Sequence, residues 1–279
     1  MREVSAKRIT EVVAQLCIAA NCHLPQDVKT RIQQCRQEET WQQAGQILDR
    51  IVENYAIAQE ENVPVCQDTG VACVFLKVGQ DVHILGDLTE AVNEGVRCGY
   101  GEGYLRKSVV RDPLRRENTG DNTPAMLYTE IVPGEQIEIT VAPKGFGSEN
   151  MSAIKMLRPS DGVDGVVDFV VETVKHAGPN PCPPIVVGVG IGGTFDKAAY
   201  LAKKALIRPL DSSNPDPYYE ALEQELLQRI NALGIGPQGF GGKTTALKVN
   251  IETFPTHIAG LPVAVNINCH VTRHETEVL

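Results

Sequence analysis

Apolar residues recur every three to four positions over the first sixty residues of the chain. This spacing in ITEVVAQLCIAA, VKTRIQQC and AGQILDRIVENYAIAQ is typical of amphipathic helices. Ser5 precedes the first of these segments and is a candidate N-cap. The pattern therefore predicts a helical N-terminal part over about residues 1–61.

The pattern changes after residue 61, where strand-like and helix-like segments alternate. Continuous apolar runs predict strands in VACVFLKVG, PPIVVGVGIGG, ALKVNIETF and LPVAVNINCHV. Helical spacing returns in LTEAVNEGVRCGYGEGYL, DGVVDFVVETVKHAG, DKAAYLAKKAL and YYEALEQELLQRINALGI. AMLYTEIVPGEQIEITVAPKG is typical of a hairpin that turns at Pro133 and Gly134. We predict one α+β domain over 1–279, with a mixed α/β part from about residue 62 onward.

Composition limits the classes of partner. The chain has 279 residues, 42% of them hydrophobic, and a net charge of -9. This charge disfavours a general nucleic-acid surface or an anionic membrane surface. The N-terminal apolar segment is interrupted by Glu11 and Gln15, and no segment reaches the roughly 18 apolar residues of a membrane span. We expect a cytoplasmic protein that binds neither nucleic acid nor membrane.

Three glycine-rich segments suggest anion binding. GVGIGG, Gly188–Gly193, fits the dinucleotide fingerprint, with Asp211 about 20 residues further on. The proline-broken segment before Asp211 does not suit the second strand of that unit, so a tight strand-to-helix turn is the stronger interpretation. GPQGFGGKTT departs from the P-loop spacing, because Pro237 stands where glycine is required. PKGFGSEN can offer backbone N–H groups to a carboxylate or can be a plain connecting loop.

Three of the eight cysteines lie at predicted element boundaries. Cys66 precedes a strand, Cys182 lies in the stiff segment GPNPCPPI, and Cys269 follows a late strand. Three separated thiols without a C-x-x-C pair disfavour structural zinc and suit an iron–sulfur cluster that keeps one iron open. Buried core cysteines remain an alternative. So does zinc, which could be held at two places, by Cys17, Cys22 and His23 or by Cys269, His270 and His274.

Several motifs together resemble one enzyme family. CQDTG, NTGDNTPA, KGFGSEN, NPCPP, GPQGFGGK and THIAGLPVAVNINCH are similar to segments of the α subunit of class I fumarate hydratases. This family of iron–sulfur hydro-lyases also contains L(+)-tartrate dehydratase. The resemblance covers roughly residues 5–275, and KGFGSEN and GGT are closer to fumarases than to tartrate dehydratases.

The resemblance implies a site, residue by residue. Cys66, Cys182 and Cys269 would hold a [4Fe–4S] cluster with three cysteine ligands and one open iron. Substrate would be bound by Gln67, Asp68, Arg106, Gly147, Ser148 and Asn150. His257 matches an active-site histidine of the family, and Asp68, beside Cys66, would have a supporting catalytic role in which it orients a water, a base or His257.

The resemblance also implies the reaction and a partner. The reaction would be the reversible hydration of fumarate to (S)-malate, a step of the tricarboxylic acid cycle, with L(+)-tartrate dehydration as the alternative. The proton-abstracting base would lie on a separate β subunit, because the family places it in a segment that this chain lacks. Two other classes stay open, a nucleotide-dependent oxidoreductase based on GVGIGG and a zinc-stabilised scaffold based on the cysteines.

Overall fold

The computed structural model describes residues 2–279. In chain order its elements are β1 (Arg2–Ser5), α1 (Ala6–Cys22), α2 (Gln26–Glu38), α3 (Gln42–Glu61), β2 (Val71–Gly79), β3 (Val82–Leu85), α4 (Leu88–Glu102), β4 (Met126–Val132), β5 (Ile137–Lys144), α5 (Phe146–Glu149), β6 (Ala153–Leu157), α6 (Gly162–Ala177), β7 (Ile185–Gly192), α7 (Phe195–Ala205), α8 (Pro217–Asn231), β8 (Ala246–Phe254), β9 (Leu261–Asn268) and β10 (Glu275–Val278). The α+β prediction is confirmed.

The elements with the strongest hydrophobic patterns form where the sequence predicts them. The first three segments are helices, and the Ser5 side chain accepts a hydrogen bond from the N–H of Arg8 at the start of α1. β2 and β8 coincide with VACVFLKVG and ALKVNIETF. α6 ends at Ala177, and Gly178, with a φ of 54°, caps it. Strong periodicity and capping residues were therefore sufficient to place these elements.

The predicted hairpin at Pro133 and Gly134 is wrong. β4 and β5 form as strands, but both pair with β2, which lies between them in the order β10-β5-β2-β4. β4 runs parallel to β2, and β5 runs antiparallel to it. β2 is almost entirely buried, and a strand of this kind occupies the centre of a sheet. A turn signal between two strands therefore did not make them neighbours.

The chain divides into two compact units. Unit 1 contains Met1–Pro25, Tyr55–Gly145 and Arg273–Leu279, and unit 2 contains Gln26–Asn54 and Phe146–Thr272. The N-terminal helices are shared between the units, since α1 belongs to unit 1 and α2 to unit 2. The division therefore does not follow the boundary near residue 61 that the sequence suggested, and a single domain over 1–279 stays a prediction.

Unit 1 packs α1 and α4 against the sheet of β2 and β5. Its core includes Val74 and Leu76 of β2 with Ile137 and Ile139 of β5, all buried. Tyr100 of α4 is the largest fully buried side chain of this core. Burial of apolar area on this scale is the main stabilising contribution to the unit.

Unit 2 has a four-stranded sheet in the order β6-β9-β7-β8, with helices on both faces. β7 alternates between the two faces. Val187 and Val189 enter the core with α6 and α8, whereas Gly188 and Gly190 face α7. A Cβ on Gly190 would lie 2.1 Å from the carbonyl oxygen of Ala198 on α7. The glycines of GVGIGG thus allow a helix to pack closely on a strand, which explains the fingerprint without a nucleotide.

No helix within residues 2–279 is long and apolar enough to cross a membrane.

Candidate active site

The loop that carries Cys66, Gln67 and Asp68 is pinned to the core of unit 1. The Tyr100 hydroxyl donates to the carbonyl oxygen of Thr69 at 2.7 Å. The N–H of Gly70 donates to Asp68 Oδ1 at 3.0 Å, which closes an Asx turn. Cys66 and Asp68 are half-buried and Gln67 is exposed. The loop therefore presents a thiol, an amide and a carboxylate from a fixed backbone.

Gly70 is required where this loop joins β2. It has a φ of +70°, in the left-handed region that disfavours L side chains. A Cβ at this position would lie 2.6 Å from the backbone of Lys144 on β5. The glycine of CQDTG is thus explained by conformation and by close approach of the neighbouring strand.

Arg106 lies beside the same loop. Thr69 Oγ1 donates to the carbonyl oxygen of Arg106 at 2.8 Å. The fully buried Asn122 bridges the two segments, since its Nδ2 donates to Gly70 O at 3.1 Å and its Oδ1 accepts from Ser108 N at 2.7 Å. Unit 1 therefore brings together the CQDTG loop and the exposed Arg106, as predicted substrate-binding residues require.

Asn122 and Tyr100 are positioning residues that the sequence analysis missed. NTGDNTPA was part of the family resemblance, but the motif gave no role to the amide side chain of Asn122.

Asp121, next to Asn122, is also held by hydrogen bonds. Burial raises its pKa, but hydrogen bonds from Thr123 and Arg97 outweigh this effect and lower the pKa to about 2. This carboxylate is therefore ionised at neutral pH and holds the segment that carries Asn122.

Unit 2 brings two of the predicted cluster ligands to one end of its sheet. β9 pairs antiparallel with β7 so that Asn268 is opposite Val186. Cys269 follows the end of β9, and Cys182 precedes the start of β7. His270 Nδ1 lies 3.0 Å from the carbonyl oxygen of Cys182. The two thiols are therefore presented from adjacent segments.

The backbone around Cys182 is held in an unusual conformation. Cys182 has a φ of 55°, and its N–H donates to the carbonyl oxygen of Pro179 at 3.0 Å. The side chain of Gln238, from GPQGFGGK, donates to the carbonyl oxygen of Pro183 at 2.8 Å and lies 3.2 Å from His270 Nδ1. A strand follows this glycine segment, so it is not a P-loop. The GPQGFGGK segment instead supports the loop that carries Cys182. The left-handed backbone of Cys182 is itself typical of residues at functional sites.

The KGFGSEN segment reaches the same end of unit 2. A Cβ on Gly147 would lie 3.8 Å from the carbonyl oxygen of Asn180, two residues before Cys182. Ser148 is buried, and Asn150 is exposed. α5 spans four residues of the motif itself, and β6 follows. The segment is therefore a short helical turn and not the start of a longer helix.

His257 lies at the opposite end of the unit 2 sheet. It follows β8, and the last residue of β8, Phe254, pairs with Gly192 at the end of β7. Cys182 precedes the start of β7, and a strand of eight residues spans roughly 25 Å. His257 is exposed and lines a cavity of about 410 Å³ with Lys197. Unit 2 thus does not bring His257 to Cys182 and Cys269, and its catalytic role stays a prediction.

Four of the five remaining cysteines have the surroundings of core residues. Cys17, Cys22 and Cys35 are buried in helices, and burial raises the pKa of the Cys17 thiol to about 12. A thiol with so high a pKa is a poor metal ligand, because metals bind the thiolate. Within residues 2–279, no three His, Cys, Asp or Glu side chains are grouped as ligands of one metal ion. The Cys182–Cys269 pair is therefore what unit 2 offers by itself.

We predict that a soluble maleimide labels Cys182 much faster than Cys17 in the metal-free native protein. Cys182 is exposed, whereas Cys17 is fully buried with a pKa raised to about 12. Because a raised pKa lowers the thiolate fraction at pH 8, labelling of Cys17 should require unfolding. Peptide mass spectrometry with and without denaturant measures both rates. Equal labelling of the two residues in the native protein would contradict these surroundings.

Comparisons with known proteins identify the family of the chain. The model of the family described as "Fumarate hydratase (Fumerase)" matches residues 10–278. A Methanocaldococcus jannaschii protein named "Putative L(+)-tartrate dehydratase subunit alpha" is 46% identical over 273 residues, which cover 95% of each chain. An Escherichia coli (strain UTI89) protein named "L(+)-tartrate dehydratase subunit alpha" is 34% identical over 278 residues, which cover 99% of this chain and 92% of that one. The chain therefore belongs to the fumarate hydratase (Fumerase) family, whose members are hydro-lyases.

Proposed function

We propose that this chain is the cluster-binding α subunit of an iron–sulfur hydro-lyase that reversibly hydrates fumarate to (S)-malate. The observation that carries the proposal is the convergence of Cys182 and Cys269 at one end of the unit 2 sheet, beside the Gly147 turn. In a hydro-lyase family, thiols that fixed loops present are better suited to bind an iron–sulfur centre than to form a disulfide or to pack in a hydrophobic core. Reduced thiols also fit a cytoplasmic location.

The residues fit a [4Fe–4S] cluster with three cysteine ligands. Cys66, Cys182 and Cys269 are the cysteines that lie in loops, and each is exposed or half-buried. The other five lie inside helices or strands. Thiolates are the soft ligands that iron–sulfur clusters prefer. When bound, a cluster with three such ligands supplies one iron with an open position, a Lewis acid for oxygen groups of the substrate.

The chain's own residues would bind and orient the substrate. The planar guanidinium of Arg106 suits a carboxylate, and Gln67 and Asp68 lie on the loop beside it. In unit 2, the backbone N–H of Gly147, with Ser148 and Asn150, provides further polar contacts next to Cys182. Asp68 would orient a water or a base. Fixed donors of this kind stabilise the charge that develops on a carboxylate as the adjacent proton leaves. His257 would have its catalytic role from the end of the unit 2 sheet opposite to Cys182 and Cys269.

L(+)-tartrate dehydration is the second candidate, because two relatives are named for it. Malate and L(+)-tartrate are both four-carbon dicarboxylates, and loss of water from either requires binding of two carboxylates. Tartrate carries a hydroxyl on its second central carbon, and malate does not. Discrimination between malate and tartrate therefore depends on whether a polar group of the site forms a hydrogen bond with that hydroxyl. Such a hydrogen bond can change the ratio of the two kcat/KM values by a large factor.

A β subunit would complete the enzyme. The relatives are named as α subunits, and the chain carries a net charge of -9. A substrate dianion next to anionic thiolates needs more positive charge than Arg106 supplies. We propose that the partner contributes the proton-abstracting base and a second cation.

The test is anaerobic purification of this chain alone and after co-expression with a β subunit of the family. Iron and sulfide content, and activity towards fumarate, malate and L(+)-tartrate, are measured in both samples. The proposal expects about four irons per chain and turnover of malate and fumarate only with the β subunit. A tartrate kcat/KM above that for malate would favour the second candidate. Stoichiometric zinc would favour a scaffold, and a bound nucleotide would favour an oxidoreductase.

Arg106→Ala is expected to lower kcat/KM by a factor that corresponds to about 2 to 4 kcal/mol of lost transition-state stabilisation. Truncating one side of a charge-assisted pair has effects of this size. Iron content should not change, because Arg106 binds no cluster ligand. Lys107→Ala is the matched control, as it removes the adjacent exposed cation. Steady-state kinetics of the assembled enzyme decide the result. Equal kcat/KM values for the two variants would remove Arg106 from the site.

A further inference from the structure

Arg273 is a buried cation behind the CQDTG loop. Its side chain is only 4% exposed. Nη2 donates to the main-chain oxygen of Asp68. Nε and Nη1 are also buried, and neither has a hydrogen-bond acceptor. Arg273 forms no ion pair with a carboxylate in the described part of unit 1. It lies two residues before β10, which pairs with β5.

The positive charge of Arg273 acts on two neighbouring groups that are neutral when protonated. Burial raises the pKa of the Cys22 thiol, and the positive charge of Arg273 opposes that rise. Burial likewise raises the pKa of Tyr100, and Arg273 again opposes it. Tyr100 itself donates to Thr69 O in the same loop. Arg273 and Tyr100 therefore approach the CQDTG loop together, one through a cation and the other through a hydroxyl.

The burial of Arg273 lowers the free energy of unfolding, so stability does not explain it. A buried guanidinium with two unmatched donors loses hydration that one hydrogen bond does not replace. An apolar side chain of similar size is often neutral or stabilising at such a position. A positive charge at this place is therefore better explained by negative charge that gathers on the loop during function.

We propose that Arg273 is a positioning residue that acts through Asp68. Its hydrogen bond sets the main-chain orientation of Asp68, and its charge stabilises the loop when Cys66 is a thiolate and a dicarboxylate is bound. The charge effect rests on the function proposed above, whereas the hydrogen bond to Asp68 does not. The inference therefore separates into a local effect on the loop and an electrostatic effect on the loaded enzyme.

The first experiment measures hydrogen–deuterium exchange in the metal-free protein. Arg273→Met is compared with Arg8→Met, which removes an exposed cation that pairs with Glu277 on β10. Arg273→Met should accelerate exchange at least tenfold within residues 65–70 and leave β2 and β5 unchanged. Unchanged exchange in 65–70, or acceleration throughout the sheet of unit 1, would overturn the positioning role.

The second experiment uses the assembled, iron-loaded enzyme. Arg273→Met should retain iron, lower kcat about 100-fold with a smaller change in KM, and shift the cluster potential to more negative values, since loss of a nearby cation disfavours the reduced cluster. Arg273→Lys should recover at least tenfold of the lost kcat. Wild-type values of kcat and potential in Arg273→Met would overturn the electrostatic role. Absence of iron from the parent enzyme would refute the proposed function, while the exchange experiment still decides the positioning role.

Discussion

Cys182→Ser is expected to abolish cluster binding and with it all hydro-lyase activity. A serine hydroxyl remains protonated at neutral pH and is a poor ligand for iron, so one of the three proposed attachments is lost. Loss of groups that only support a metal ligand already lowers affinity about 10- to 100-fold, and loss of a ligand should lower it more. Iron and sulfide content after anaerobic reconstitution, together with the visible spectrum, measure the effect.

Folding should survive this substitution. Cys182 is exposed, so Cys182→Ser removes little buried apolar area. Cys98→Ser is the matched control, because Cys98 is half-buried on α4 beside Glu94 and has no proposed ligand role. It should retain iron and activity, and Cys66→Ser and Cys269→Ser should behave like Cys182→Ser. Full iron content in Cys182→Ser would end the assignment of Cys182 as a cluster ligand.

The sequence predicted elements well where the chain's own periodicity decides the outcome. β2, β8 and the helices of the N-terminal part are set by local hydrophobic patterns and caps. The strand order was not predictable in this way. Whether β4 pairs with β5 or with β2 depends on which strand is buried on both faces, and that is a property of the assembled sheet.

The candidate site shows the same limit. The motifs singled out Cys66, Cys182 and Cys269 as candidate cluster ligands, because unusual residues at element boundaries are visible in a single sequence. The residues that hold them were not visible. Asn122 and Gln238 bond to main-chain atoms more than 50 residues away, and nothing in their local sequence marks these contacts. The position of His257 also follows from strand register and not from its motif.

Gly70→Ala should destabilise unit 1 by about 3 kcal/mol. Left-handed backbone costs an alanine about 1 kcal/mol or more, and insertion of a methyl group into a packed site typically costs about 1 to 3 kcal/mol. Both effects apply, because φ is +70° and the new Cβ would lie 2.6 Å from the backbone of Lys144. Chemical denaturation of the metal-free protein measures the free energy of unfolding.

Gly120→Ala separates the two contributions. Gly120 also has a left-handed φ, of +83°, but a Cβ there would meet no atom within 4 Å. This control should lose only about 1 kcal/mol, the cost of the backbone conformation. The difference between the two variants then measures the contact of β5 with the loop that carries Cys66 and Asp68. Because that contact fixes the loop, Gly70→Ala should also lower iron retention in the assembled enzyme, and Gly120→Ala should not. Equal losses of stability in both variants would show that strand contact at Gly70 has no part in holding the loop.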